Sequence, residues 1–197
     1  MNEGVRVLAA ISAPRLGFTD NMRSMMLLQE LGIPSVMCTG AYWDRSLQKC
    51  FDYAVEQGFD YVLTVDYDCI FSKQDVMTLL NEAVNSELSA IAPLMAGRGN
   101  LGQLHTVLGN VPDTQIIPVE SAHFGLTVIS TDALDDVRDC WVGGNIDVDP
   151  DVQFWEDLKE EGHQAYVHQG VGVGHLELMI KWPGGTYGTL DEWYSNE

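Results

Sequence analysis

Basic residues are scarce in this sequence. Ten Lys and Arg stand against 29 Asp and Glu, so the formal net charge of the 197 residues is −19 at pH 7. A surface this acidic repels phosphate backbones and anionic lipids at long range. The acidic residues are spread along the chain and form no separate tail. The charge therefore disfavours nucleic acid as a routine partner and gives no support to a membrane surface.

Cysteines are also few, and long apolar runs are absent. The four cysteines show no CxxC spacing, which indicates free thiols in a reducing compartment. No apolar run approaches the length of a membrane span, and the first residues lack the basic and apolar segments of a signal peptide. We expect a soluble, cytoplasmic protein whose 46% hydrophobic residues form the core of one domain.

The first half of the chain predicts alternating strands and helices. Apolar runs at 5–11, 33–38 and 61–65 are typical of buried strands, whereas residues 21–31 and 43–57 have helical spacing. This alternation predicts a mixed, mainly parallel sheet flanked by helices, which is a Rossmann-like α/β fold.

The second half is less regular. Residues 95–118 are rich in Gly, Asn and Pro, which predicts a long loop or a small hairpin region. A helix is predicted to begin at Asp149 and Pro150, because Asp is a good N-cap and Pro suits the first helical position. Short strands are predicted at 165–168 and 171–175.

The most informative stretch is FDYVLTVDYDCIF at residues 59–71. Its apolar, β-branched run predicts a buried strand that ends at two aspartates, Asp66 and Asp68. Residues i and i+2 of an extended backbone point the same way, so both carboxylates can reach one cation. Carboxylate oxygens suit Mg²⁺ or Mn²⁺, which also bind phosphate oxygens. Because ligands of α/β sheets lie at strand ends, the pair predicts a site for a metal–diphosphate; the alternative is two solvated loop acids.

Three segments, in their order and at their distances, carry a resemblance to a known family. They are DYVLTVDYDCIF at 60–71, preceded by a helix that contains Arg45, ESAHFGLTVIST at 120–131, and DVDPDVQFWEDLKEEGHQAYVHQGVGVGHLE at 147–177. Together they resemble glycosyltransferases of the GT-A fold, particularly the family-2-like enzymes with a DxD motif. The resemblance implies a single GT-A-like domain at 1–177, followed by an aromatic, glycine-rich tail at 178–197 that we interpret as a candidate active-site flap.

The resemblance implies a metal site and a catalytic base. Asp66 and Asp68 match the DxD pair, with Asp68 the stronger candidate for a ligand of Mn²⁺ or Mg²⁺ and Asp66 nearer the ribose or a metal-bound water. His175 matches the position at which many GT-A enzymes supply a third ligand. Asp151 matches the acidic residue that acts as general base in inverting members, although Pro150 stands where the family usually has Glu.

The resemblance also implies a donor and an acceptor. Pro14 and Arg15 follow the first strand, where the family holds the nucleotide base and ribose, and Arg45 matches a helix arginine that often contacts the donor. We expect a nucleotide-diphosphate sugar, UDP-sugar by default, and a hydroxyl acceptor that is a glycan or small molecule rather than DNA. Trp182 and Trp193 are candidates for the acceptor site. Since the chain is short for the fold, we expect a minimal acceptor region or one completed by a homo-oligomer or a partner.

Several assignments stay open on the sequence alone. Asp151 lies in the first turn of a helix, so the alternative to a catalytic role is that it simply caps the helix. Asp147 and Asp149 are alternative candidates for the base. His123 fits either the sugar or acceptor site or a packed loop. For the whole chain, the alternatives are a domain that binds a nucleotide-sugar or glycan without turnover and a phosphatase of the haloacid dehalogenase type.

Overall fold

The computed structural model describes residues 4–13, 19–40, 42–95, 106–107, 115–138, 142, 149–176, 179–181 and 187–189. Its elements are, in chain order, β1 (Val7–Ala13), α1 (Thr19–Glu30), β2 (Ser35–Thr39), α2 (Trp43–Glu56), β3 (Tyr61–Asp66), β4 (Cys69–Ile70), α3 (Lys73–Asn85), β5 (Ala90–Met95), β6 (Thr106–Val107), β7 (Ile116–Ser121), β8 (Val128–Ser130), α4 (Thr131–Asp136), α5 (Pro150–Glu160), β9 (Ala165–His175), β10 (Met179–Lys181) and β11 (Tyr187–Thr189). None of the helices in this part of the chain is long and apolar enough to cross a membrane.

One open sheet organises the domain. Its strand order is β2-β1-β3-β8-β5-β9-β7-β6, and β4 pairs with β9 beside this path. The pairs β1–β2, β1–β3 and β5–β9 are parallel, whereas β8 is antiparallel to both β3 and β5. Strands β1, β2, β3, β5 and β9 consequently run in one direction. This arrangement confirms the predicted fold class, a single α/β domain with a mixed, mainly parallel sheet.

Helices cover both faces of the sheet, and alternate side chains along a strand contribute to the apolar cluster on one face and then to that on the other. In β1, Leu8 and Ala10 join the apolar cluster beneath α2, α4 and α5. Val7, Ala9 and Ile11 point the other way and join the cluster beneath α1 and α3. A strand buried on both sides needs apolar residues at every position, which is why the sequence of β1 reads as a continuous apolar run.

Local signals place the helix ends. Gly32, Gly58 and Gly162 follow α1, α2 and α5 and have left-handed φ values of 71°, 66° and 88°, a conformation that glycine adopts without strain. At the start of α3, the Ser72 hydroxyl accepts a hydrogen bond from the Asp75 N–H, while the Asp75 carboxylate accepts one from the Ser72 N–H. This reciprocal cap satisfies two N–H groups that the helix itself cannot.

Strand β9 differs from the sequence prediction of two short strands. The structure has one strand, in which the register against β5 shifts, so that Pro93 pairs with His168 but Leu94 pairs with Gly172. The intervening residues form an irregularity that interrupts the apolar pattern without ending the strand. The second part of β9 reaches its end at His175 opposite Cys69 of β4.

The middle of the chain contains a strand that the sequence signal does not resolve. Strand β7 pairs antiparallel with β9, although Pro118 lies within it and Gly, Asn and Pro are frequent before it. In the predicted tail, β10 and β11 form a two-stranded antiparallel pair. The boundary between a domain at 1–177 and a flap at 178–197 stays a prediction.

Candidate functional site

The carboxylate of Asp66 lies at the carboxyl end of β3 and is held from two sides. The Ser12 hydroxyl, on the neighbouring strand β1, donates a hydrogen bond to Asp66 Oδ1 at 2.8 Å. The register of the parallel pair places Ser12 directly opposite Asp66. The indole of Trp43, the first residue of α2, also hydrogen-bonds to the Asp66 side chain. A strand and a helix therefore fix the first aspartate of the DxD motif.

The turn that follows Asp66 is fixed by Asn21 of α1. The Asn21 side chain, 1% exposed, donates hydrogen bonds to the backbone carbonyls of Asp66 at 2.9 Å and Cys69 at 2.7 Å. One buried amide thus spans both ends of the segment that carries Asp68. Because satisfied buried amides hold their partners in one arrangement, Asn21 defines where Asp68 sits.

The second aspartate of the motif meets His175. Asp68 is 2% exposed, and its Oδ2 lies 3.2 Å from His175 Nε2. The two residues come together because β4 pairs with the end of β9, which places Cys69 opposite His175. Residues 107 positions apart in the sequence are therefore neighbours at the same end of the sheet.

The pair of Asp68 and His175 has a spacing that suits two ligands of one cation. Two ligands of one octahedral cation lie about 3 Å apart when each is about 2.1 Å from the ion. The separation of Asp68 Oδ2 and His175 Nε2 fits this spacing as well as it fits a hydrogen bond. In the described part of the chain, no group of three or more His, Cys, Asp and Glu is arranged to hold a metal ion. The role of Asp66 as a third ligand stays a prediction.

The start of α5 gives different contacts to Asp149 and Asp151, two of the three acids that are candidates for the base on sequence alone. Asp149 is the N-cap, and its side chain accepts a hydrogen bond from the Asp151 N–H at 3.1 Å. The Asp151 side chain instead accepts a hydrogen bond from the Trp155 indole N–H at 2.8 Å. Asp149 therefore has the capping role, which leaves the Asp151 carboxylate available for other chemistry. Asp147 lies outside the described residues.

The carboxylates of Asp66 and Asp151 influence each other. The pKa of Asp151 is raised to about 7, chiefly by burial and also by the charges of Asp66 and Asp149, while the hydrogen bond from Trp155 opposes the increase. Burial also raises the pKa of Asp66 to about 6; the hydrogen bond from Ser12 and that from Trp43 oppose this increase, and the charge of Asp68 adds to it. Two neighbouring acids with such pKa values are typical of a functional site rather than of a solvated surface.

An aromatic cluster lies beneath these acids. The Phe124 ring contacts Trp43 edge-on, with centroids 5.0 Å apart, and stacks on Trp155 at 5.2 Å. Phe154 packs against both Phe124 and Trp155, at 4.9 and 5.0 Å. The two indoles that hold Asp66 and Asp151 are thus joined through one phenylalanine ring.

His123 belongs to the packed loop beneath the site, which was one of its two interpretations. It is 3% exposed, its Nε2 lies 2.9 Å from the Pro93 carbonyl, and its Nδ1 accepts a hydrogen bond from the Gly125 N–H at 3.0 Å. Gly125 has no room for a side chain, because a Cβ there would overlap Met95 Sδ and His123 Nδ1. The loop supports Asp66, whose backbone N–H approaches the Gly125 carbonyl.

The remaining predicted residues are distributed as follows. Arg45 lies in the first turn of α2, two residues after Trp43, where its exposed guanidinium covers the Tyr42 ring at 5.1 Å. Its contact with a donor stays a prediction. Pro14, Arg15, Trp182 and Trp193 lie outside the described residues.

Sequence reasoning missed the residues that hold the acids. Trp155 has core spacing on α5 and is 2% exposed, yet its indole N–H reaches Asp151. Ser12 lies near the end of an apolar strand, and Asn21 lies in the first turn of α1, so neither stands out by pattern. A signal for Trp155 did exist: it follows Asp151 by four residues, the spacing at which side chains meet on a helix.

Comparisons with known proteins reveal similarity in structure alone. No protein-family model matches the chain, and no curated protein matches its sequence. The crystal structure of A197 from STIV matches with a TM-score of 0.67 and 15% identity, over 94% of both chains. GalNAc-T7, crystallised with UDP, GalNAc and Mn²⁺, matches with a TM-score of 0.63 and 9% identity. That match covers 92% of this chain but 45% of GalNAc-T7, so this chain spans less than half of it. At such identities the similarity shows the fold, which is GT-A-like.

Proposed function

We propose that the protein is a metal-dependent glycosyltransferase that moves a sugar from a nucleotide-diphosphate sugar to a hydroxyl acceptor. UDP-sugar is the default donor, since GalNAc-T7, which shares the fold, was crystallised with UDP, GalNAc and Mn²⁺. The acceptor is a glycan or a small molecule rather than DNA, because a net charge of −19 repels a phosphate backbone.

The observation that carries the proposal is the meeting of three segments at one end of the sheet. Asp66 and Asp68 come from the end of β3, His175 comes from the end of β9, and Asp151 comes from the start of α5, within electrostatic reach of Asp66. Ligands of α/β sheets bind at this end of the strands. A site of several acids attracts a diphosphate only when a cation accompanies it, which matches the donor class.

Asp68 and His175 are the residues that would hold the cation. A carboxylate oxygen and an imidazole nitrogen are both suitable donors for Mn²⁺, and hard cations complete their shells with water and substrate phosphates. The bound cation would neutralise charge on the departing diphosphate. Asp66, held by Ser12 and Trp43, would orient the ribose or a water molecule next to the donor.

Asp151 is the proposed general base. As the acceptor hydroxyl attacks C1 of the sugar, the bond from C1 to the diphosphate oxygen breaks, and the hydroxyl proton passes to the Asp151 carboxylate. A single displacement of this kind inverts the configuration at C1. The pKa of Asp151, about 7, suits a base that must be ionised near neutral pH and must still bind a proton.

A thermal-shift screen of UDP-, GDP-, TDP- and CMP-sugars, with and without Mn²⁺, tests the proposal. A ligand at a hundredfold excess over its Kd stabilises the fold by about 2.7 kcal/mol. We expect a shift that needs both Mn²⁺ and one nucleotide, that disappears in Asp68→Ala, and that persists in the control Asp132→Ala, which removes an exposed acid of α4. No shift with any of the sugars would contradict the proposal and would direct the search to phosphate esters.

Hydrolysis of the donor separates an enzyme from a domain that only binds. Water can replace the acceptor hydroxyl, so an active transferase slowly releases free sugar from its donor in the presence of Mn²⁺. Release of sugar that Asp151→Asn abolishes, with binding retained, supports Asp151 as base. Loss of binding in the same variant would show that the base assignment is wrong.

A further inference from the structure

Two tryptophans donate hydrogen bonds to acids of the site: Trp155 is buried in the core, and Trp43 is partly buried and packs against the same apolar cluster. Asp151 Oδ1 accepts the indole N–H of Trp155 at 2.8 Å, and Asp66 accepts the indole N–H of Trp43. Trp155 is a core residue by its burial, and the proposed chemistry gives neither tryptophan a role. Each indole N–H nevertheless donates a hydrogen bond to a carboxylate of the site.

The Trp155 ring has almost no freedom to move. It is 2% exposed, it stacks on Phe124 with ring centroids 5.2 Å apart and an angle of 28° between planes, and it meets Phe154 edge-on at 5.0 Å. Rings confined on two sides keep one rotamer, since a close-packed interior leaves no space for another. The direction of the indole N–H is therefore set by the core and not by the carboxylate.

The spacing within α5 brings donor and acceptor together. Asp151 is the second residue of the helix, and Trp155 follows it by four positions, so both lie on one face. The Asp151 N–H is already bonded to Asp149, which holds the backbone of this turn in place. Backbone and side chain of Asp151 are thus fixed by separate partners.

One oxygen of Asp151 remains for chemistry. Oδ1 is occupied by Trp155, and no described residue donates a hydrogen bond to Oδ2. A carboxylate with one oxygen held by a fixed donor presents its other oxygen in a defined direction, which suits the acceptance of a proton.

We propose that Trp155 is a positioning residue for Asp151, whose Oδ2 then receives the proton of the attacking hydroxyl, and that Trp43 holds Asp66 in the same manner. This inference rests on the proposed function. Phe124 contacts both indoles, edge-on with Trp43 and stacked on Trp155, so one cluster of rings links the donors of the two carboxylates. The aromatic cluster is in this sense the support of the site as well as part of the core.

Kinetics of a conservative variant test the role in turnover. Trp155→Phe keeps an aromatic ring in the core and removes the N–H, and Tyr61→Phe is its control, because it removes the hydroxyl that donates to the Ala83 carbonyl away from the site. With the UDP-sugar from the screen and Mn²⁺, we expect kcat for sugar release to fall about 10- to 100-fold in Trp155→Phe, the usual range for loss of a supporting partner. We expect the KM for the donor to stay within about twofold of wild type, because uniform binding is untouched. A fall in kcat no larger than that of Tyr61→Phe, or an equal change of KM, would overturn the proposal.

Spectroscopy tests the contact without any substrate. The chain has five tryptophans, so the ¹⁵N-labelled protein has five indole N–H signals, and the one lost in Trp155→Phe is that of Trp155. We expect this signal to move in Asp151→Asn and to stay in place in Asp149→Asn, which alters the neighbouring acid. An unchanged Trp155 signal in Asp151→Asn would overturn the positioning role. If wild type neither binds nor hydrolyses a nucleotide-sugar, the proposed function fails, and the indole signal still decides whether Trp155 holds Asp151.

Discussion

The two ends of strands β1 and β3 use polar residues in opposite ways. At the amino ends, the Arg6 guanidinium donates hydrogen bonds to the carbonyls of Gln57 and Gly58 at 2.9 and 2.8 Å and covers the Phe59 ring. The Arg6 backbone N–H donates a hydrogen bond to the Asp60 carboxylate. The acceptors there are two backbone carbonyls and one carboxylate, and the side chains are exposed. Such contacts cost little desolvation and stabilise the fold.

At the carboxyl ends, like charges are gathered and partly buried. Asp66, Asp68 and Asp151 lie near one another, and burial raises the pKa of Asp66 and that of Asp151. Burying acids beside acids costs free energy, which the donors Ser12 and Trp155 only partly offset. The comparison teaches that polar contacts at one end add to stability, whereas the buried acids at the other end reduce it, as the proposed function would require. Substitutions at the two ends should therefore have opposite consequences.

The largest effect is expected for Asp151→Asn. Loss of the base should lower kcat for sugar release by about 10²- to 10⁴-fold while donor binding persists. Asp149→Asn is the matched control on the same helix, because Asn caps a helix as well as Asp does. Steady-state kinetics of both variants checks the prediction, and equal activities would remove the distinction between the two acids.

The pH dependence of stability should show the cost of the buried acid. In the folded protein Asp151 keeps its proton up to about pH 7, whereas its ordinary pKa is 3.8. The folded state therefore binds more protons between these values, and the free energy of unfolding falls as pH rises from about 4 to 7. We expect Asp151→Asn to be more stable than wild type at pH 8, by on the order of 4 kcal/mol for about three units of pKa at roughly 1.4 kcal/mol per unit, and similar to wild type at pH 4.

Urea unfolding at several pH values measures this difference. Asp149→Asn is again the control, because it changes the net charge by the same amount and removes general repulsion from the comparison. A stability gain that is independent of pH, or equal in both variants, would contradict a buried Asp151 as its cause.

A smaller effect is expected from the loop beneath Asp66. Gly125→Ala places a Cβ against Met95 and His123, and overpacking of this kind costs about 1–3 kcal/mol. Gly172→Ala is the control, since nothing lies within 4 Å of a Cβ at that position. Chemical denaturation of both variants checks the difference; equal stabilities would show that the loop yields easily.

The smallest effect is expected at the amino ends. Asp60→Asn weakens the bond from the Arg6 N–H and should cost about 1 kcal/mol or less. Donor binding and turnover should stay at wild-type values, because the substitution lies at the opposite end of the strands. A loss of nucleotide binding in this variant would show that the amino ends also contribute to binding, and would contradict the different roles given to the two ends.

Much of the framework was predictable because its signals are local. The apolar run before Asp66, the glycines after α1 and α2, and the start of α5 at Asp149 all depend on neighbours in the sequence. Strand β2, predicted at 33–38, begins only two residues later than predicted, at Ser35. In contrast, β7 was hidden, because Pro118 and the composition before it are typical of loops.

The sequence by itself determined which acids end up at the carboxyl edge, because alternation along a strand and the start of a helix depend on a few adjacent residues. It did not distinguish Asp149 as cap from Asp151, nor did it reveal Ser12 and Asn21 as supports. The roles of Ser12 and Asn21 arise from contacts between residues 45 or more positions apart, and the contact of Asp68 with His175 arises from the pairing of β4 with β9. Only the folded chain decides such contacts, since the sheet order that creates them is set by the packing of the whole core.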